Sequence, residues 1–201
     1  MHFFKDEFYH VYNRGNNKQI IFFRPENYLF FIKKVRAQIL PCSDIVAYCL
    51  MPNHFHFMLQ VNENGMQKRN SFGEKAMQEL AYRIGILLSS YSQAINKQNN
   101  TTGSLFQQKT KAKILSETDN GSRISYFEQC FHYIHQNPAT AKLVNAVDDW
   151  PYSSYPDYIG LRNGTLCNKE IFPSLTGLNA EDIKSRTMEK IDEKILEKIF
   201  E

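Results

Sequence analysis

The chain predicts an α+β fold, an antiparallel sheet carrying amphipathic helices. Three features point that way. Short strand-like runs rich in aromatic and β-branched residues recur along it, long stretches with helical apolar spacing separate them, and proline, glycine and asparagine mark turns between. Residues 7–13, EFYHVYN, read as a first strand, and the run NRGNN at 13–17 closes it as a turn. Glu26–Leu40 reads as an amphipathic helix, with Pro25 near its first turn, where a missing N–H costs nothing. Ile45–Met51 is a second strand and His54–Val61 a third. Between them Met51, Pro52 and Asn53 form a tight turn, because proline cannot donate inside a ladder. Residues 45–61 are therefore a hairpin, and 62–70 is a polar loop.

Gly73–Lys97 reads as a long helix, with Met77, Leu80, Ile84, Leu87, Leu88, Tyr91 and Ile95 as its apolar positions. A loop at 98–104 leads to a fourth strand at Lys111–Leu115. Ser122–Asn137 is a further helix with a core stripe of Ile124, Phe127, Phe131 and Ile134. Pro138 is expected to interrupt it, with a short helix following through Val144. The order strand–helix–strand–strand–helix–strand is the split βαβ, ferredoxin-like arrangement. It places two helices on one sheet face and leaves the other free for a site. Trp150–Gly177 is rich in turn residues. Asn179–Glu201 is charged and helical in pattern, with Ile183, Met188, Ile191, Ile195 and Ile199 as apolar positions, and reads as an appended helical element.

Composition narrows the function classes. The chain has 201 residues, 42% hydrophobic and 22% charged, enough for one domain with extras or one large domain. Its net charge of +3 permits a nucleic-acid partner without requiring one. No apolar run approaches the ~18 residues of a membrane span, and the first residues lack a secretory signal pattern. Cys42, Cys49, Cys130 and Cys167 are scattered without a CxxC pair, which argues against a disulfide framework or zinc knuckle. A reducing cytoplasm is the expected location.

The third strand carries the chemistry. Side chains alternate faces, so His54, His56, Met58 and Gln60 point one way and Phe55, Phe57, Leu59 and Val61 the other. The uniformly apolar set marks the core face. Two imidazoles one step apart on the opposite face can grip one divalent ion, or they are two polar residues on a solvated strand. The chain has six histidines. His10 falls on a neighbouring strand, and His132 and His135 flank Tyr133 on the later helix, a clustering that brings the metal reading level with the solvated one. Tyr133 and Asn137 stand four apart and share a helix face. A tyrosine beside a metal held by two histidines suits attack of a phenolate on a phosphodiester. A phenol with a pKa near ~10 needs help to ionise. Asn137 could add a neutral oxygen ligand. Against this stand a packing role for Tyr133 and an N-cap role for Asn137 before Pro138.

The motif HFH after MPN, then YIHQNP, then DDWPYSSY, resembles the single-tyrosine HUH transposases, and within them the REP-associated tyrosine transposases. YHVYNRGNN near the N-terminus, SLFQQKTKAK at 104–113 and NPATAKLV at 137–144 support the match, in order, over residues 6–155. The resemblance implies a ferredoxin-like catalytic domain over 1–155 that acts on single-stranded or hairpin DNA, followed by an extension over 156–201 onto which it carries no function. It implies His54, His56 and Asn137 as ligands of magnesium or manganese. It implies Tyr133 as the nucleophile, forming a 5′-phosphotyrosine link and releasing a 3′-hydroxyl, so that the strand is rejoined without ATP. Two positions depart from the family. Gln108 and Lys109 stand where an arginine is common, and NPATAKLV replaces the usual NPV with Arg-Ala-Gly.

Arg14 lies at the first turn with Lys18 and Arg24, and Lys109, Lys111 and Lys113 alternate along the fourth strand and its lead-in, so they share a face and are expected to contact DNA phosphates. Lys33 and Lys34 read as solvated surface residues. Two other functions compete. One is a DNA-binding protein on the same fold that no longer cuts, which would need none of His54, His56, Tyr133 and Asn137. The other is a metal phosphoesterase using water, which would need carboxylates nearer the histidines than Asp44 and Glu63. A membrane partner is not expected. Monomer and homodimer both remain open.

Overall fold

The computed structural model describes residues 1–69, 76–115 and 123–191, with the backbone alone for 123–125. Strand β1 (Phe8–Arg14) leads through a short turn of 3-10 helix into helix α1 (Pro25–Gln38), followed by β2 (Ser43–Met51) and β3 (His54–Val61). Then come the short α2 (Glu63–Met66), β4 (Lys68–Arg69) and β5 (Met77–Gln78), and the long α3 (Glu79–Asn99). β6 (Lys111–Ile114), α4 (Arg123–Thr140) and three short helices, α5 (Tyr155–Tyr158), α6 (Ile171–Thr176) and α7 (Ala180–Thr187), complete the described chain. The main sheet has the order β2-β3-β1-β6, antiparallel throughout, which is the ferredoxin-like arrangement with β1 and β3 central.

The predicted alternation of β3 holds. Phe55, Phe57, Leu59 and Val61 join Phe31 and Val35 of α1 and Leu80, Ile84, Leu87, Tyr91 and Ile95 of α3 in one core. The opposite face differs from expectation, because it is not free. Helix α4 lies over it, and Met58, Val46, Ala47, Cys49 and Met51 pack there against Phe127, Cys130, Phe131 and Ile134. The reason lies in β2, which is apolar on both faces, and an irregularity between Ile45 and Ala47 turns both Val46 and Ala47 to the α4 side. The short C-terminal helices close this second core. Phe172 of α6 stacks on Phe131 at 3.6 Å between ring centroids, and Ile183 of α7 is buried there too. Asn179 caps α7, its side chain accepting from the backbone N–H groups of Glu181 and Asp182.

Several element boundaries also differ. Part of the polar loop is ordered, with Asn62 capping the helical turn α2 and β4 pairing with β5. That pairing takes up Met77 and Gln78, so α3 begins at Glu79 and runs to Asn99, into the expected loop. Met77 is exposed rather than core. Positions 73–75 of the expected helix lie outside the described residues, as do Asn70, Ser122, the Ile124 side chain, Ile195 and Ile199. Pro138 does not interrupt α4, which continues to Thr140. The helix then ends in a Schellman turn, with Leu143 N–H to Pro138 O at 2.9 Å, Lys142 N–H to Ala139 O at 2.9 Å, and Lys142 left-handed at φ 56. No further helix follows through Val144. α7 stops at Thr187, which leaves Met188 exposed. No helix among the described residues is long and apolar enough to cross a membrane.

Candidate metal and nucleophile centre

Strand pairing gathers the site. Arg14 of β1 lies opposite His54, and Tyr12 opposite both His56 of β3 and Lys111 of β6. His10 lies opposite Lys113. By the period of two, His10, Tyr12, Arg14, His54, His56, Lys111 and Lys113 share the sheet face that α4 covers. From α4, Tyr133 lays its ring edge-on against His56, 5.6 Å between centroids, and against His10 at 6.2 Å. Asn137 stands between the two halves of the site, close enough to shift the protonation of both His54 and Tyr133. It also donates back to the Tyr133 carbonyl at 2.9 Å. Asn137 therefore lies within α4 and is not an N-cap.

His10, which sequence reasoning left as a neighbouring histidine, is part of the centre. Its Nε2 is 2.8 Å from Nδ1 of His56, and Tyr12 stacks on its ring at 4.6 Å. His56 Nε2 and His10 Nδ1 are buried with no hydrogen-bond partner among the described residues. The His54 ring stands on Asn53, with Nδ1 2.6 Å from the side-chain oxygen. His132 and His135 do not join this centre. They face the C-terminal segment, His132 Nδ1 at 2.8 Å from Thr187 Oγ1 and His135 Nε2 at 2.7 Å from Ser154 Oγ. Their positions on α4 flank Tyr133 in sequence but turn off its helix face.

Burial sets the electrostatics. It brings His10 down to about 3, with the Lys113 ammonium adding to the effect. It brings His54 down to about 4, with Arg14 adding and the Asn137 hydrogen bond opposing. His56 is held well below its ordinary value by burial and by the neighbouring imidazoles. The histidines are thus neutral, the state that binds metals. Burial also pushes the Tyr133 hydroxyl well above its ordinary value, against the hydrogen bond with Asn137.

The residues fit a divalent ion. Nε2 of His56 is a buried nitrogen with no partner among the described residues, His54 offers a second imidazole and Asn137 an amide oxygen. Among the described residues no group of three His, Cys, Asp or Glu is arranged for a metal, so such an ion would draw on the Asn137 amide. The basic residues divide. Arg14 and Lys113 are half-buried and Lys111 is exposed on the site face, while Lys109 is exposed ahead of β6, outside the strand that would fix its direction. Lys34 reaches Ser90 on α3 and lies over the Phe30 ring, away from the site.

No protein-family model matches the chain. A Haemophilus influenzae protein that carries the name REP-associated tyrosine transposase is 24% identical over 121 residues, which cover 56% of this chain and 58% of the relative. The chain thus spans little more than half the length of that relative. A solved structure of a REP-associated tyrosine transposase bound to a REP hairpin superposes with a TM-score of 0.57 at 17% identity, over 81% of this chain and 86% of that one. That likeness carries the fold. In sequence and in fold, the chain is similar to the REP-associated tyrosine transposases.

Proposed function

We propose that the protein cleaves and rejoins single-stranded DNA, recognised as a hairpin, through a covalent link to Tyr133, with a divalent ion held by His54, His56 and Asn137. The observation that carries this reading is the edge-on contact of the Tyr133 ring with the imidazole of His56, whose Nε2 is buried with no partner among the described residues. The relative's name and the hairpin-bound neighbour support the substrate class.

The bound ion would polarise the phosphate and offset the charge that develops on it. Tyr133 would attack the phosphorus as the phenolate. The new bond joins the tyrosine oxygen to phosphorus, the bond from phosphorus to the 3′-oxygen breaks, and that oxygen leaves as a 3′-hydroxyl after taking up a proton. The hydrogen bond with Asn137 favours the ionised phenol, against the burial that disfavours it. Arg14, Lys111 and Lys113 would hold phosphates along the same face.

The non-cleaving alternative draws on one observation, the burial that raises the Tyr133 hydroxyl. A single experiment separates the two. Hairpin DNA with a single-stranded flank is incubated with the protein and manganese, and the products are resolved on a denaturing gel. A protein–DNA adduct that falls more than about 1000-fold in Tyr133→Phe is the expected result. Tight binding without adduct supports the binding protein. An adduct undiminished in Tyr133→Phe overturns the assignment of the nucleophile.

A further inference from the structure

We propose that His10 and Asn53 are positioning residues that hold His56 and His54 in the tautomer protonated at Nδ1, leaving both Nε2 lone pairs for the ion. The inference rests on the metal-dependent reading above and names what prepares its ligands.

Asn53 decides the tautomer of His54. The side-chain oxygen of Asn53 only accepts, so the 2.6 Å contact requires a proton on His54 Nδ1. The amide is turned the right way round because its Nδ2–H donates to the Lys18 carbonyl at 3.3 Å. The backbone there is pinned as well, since Gly15 N–H donates to the Asn53 carbonyl at 2.7 Å and the N–H groups of Ile21 and Phe22 to that of Pro52. Gly15 must be glycine for this loop to close, because a Cβ would lie 2.0 Å from the Gln19 carbonyl oxygen. The turn that starts β3 is thus a bracket for one imidazole.

His10 does the same for His56 from the neighbouring strand. Both rings are buried, and a 2.8 Å contact between two ring nitrogens needs one proton, which sits between Nε2 of His10 and Nδ1 of His56. If His10 donates, His56 carries its own proton on Nε2, a buried N–H with no acceptor. If His56 donates, the unmatched N–H passes to His10 Nδ1, and His56 Nε2 is a bare lone pair that a cation can satisfy, so a bound ion is what tips the pair to this arrangement. Only the second arrangement can bind metal. Metal-bound histidines generally give their other N–H to such a partner, and losing the partner typically weakens binding by about 10–100-fold.

The test uses the whole chain and manganese. His10→Leu removes the acceptor, whereas His10→Gln puts an amide oxygen near the position of Nε2. Manganese binding by calorimetry is expected to weaken by about 10–100-fold in His10→Leu and in Asn53→Ala, and to be largely restored in His10→Gln. In the wild-type protein saturated with magnesium, nitrogen NMR of the imidazoles should show His54 and His56 protonated at Nδ1 and bare at Nε2. This measurement decides the matter even if a variant fails to fold. Equal affinity in wild type and His10→Leu, or a proton on His56 Nε2 with the ion bound, overturns the proposal and leaves the proposed function standing. A wild-type protein that binds neither ion overturns both.

Discussion

The sheet face under α1 and α3 is an apolar core packed from Phe31, Phe55, Phe57, Leu59, Ile84 and Tyr91, whereas the face under α4 is mixed. There the ring nitrogens His10 Nδ1 and His56 Nε2 are each buried with no hydrogen-bond partner among the described residues. Buried polar groups are ordinarily satisfied, so such a concentration marks a face shaped by something other than stability. One strand serves both faces. β3 gives its aromatic residues to one and its histidines to the other, so the α1/α3 face holds the backbone still while the α4 face keeps its polar atoms available.

Three measurements would break or sharpen this contrast. The largest effect is expected on the apolar face. Phe31, which is 0% exposed and packs its ring against Phe22, Phe55 and Tyr91, should cost about 3–5 kcal/mol on truncation to alanine, read from the urea midpoint. A cost near zero would remove the distinction between the faces. Acid comes second. His10 near 3 and His132 near 4 stay neutral in the folded chain while the same side chains, near 6.5, take protons when unfolded. The unfolded state then binds more protons, so stability is full above pH 6.5 and falls as the pH is lowered towards 4. The slope is up to about 1.4 kcal/mol per pH unit for each such imidazole. Urea midpoints that stay level from pH 7 to 5 would mean that the α4 face accepts charge. The smallest effect is expected when both members of the His10–His56 pair become leucine. Replacing both partners of a buried hydrogen bond by apolar groups is nearly neutral, within about 1 kcal/mol at pH 7. The double variant should lose manganese binding and show a shallower acid loss. A large destabilisation would make the pair structural.

Much of the architecture was legible because its signals are local. The bounds His54–Val61 follow from an apolar, aromatic run opened by the Pro52 turn, and a short run gives the strand expected over Lys111–Leu115, which the structure forms over Lys111–Ile114. The coverage of the second face had a local signal too. The run Ile45–Met51 is apolar without alternation, as strands buried on both sides are, and this tells against a face left free. Pro138 misled because the helix carries it near its end, where only one backbone donor is lost and the Schellman turn absorbs the stop. The start of α3 was set by a two-residue strand pairing and by Gln78, whose amide exchanges 2.7 Å hydrogen bonds with the backbone of Phe3, a contact that no periodicity announces.

The sequence by itself determined which side chains of β3 point together and that Tyr133 and Asn137 share a helix face, because backbone geometry repeats every two or 3.6 residues wherever the chain lies. Only the tertiary structure decided what those faces meet. Strand order put His10 beside His56, the β1–α1 loop turned Asn53 towards His54, and the docking of α4 brought Tyr133 over the histidines while turning His132 and His135 away. His10, His56 and Tyr133 are far apart along the chain, so their meeting depends on how whole elements pack. Local periodicity does not encode that.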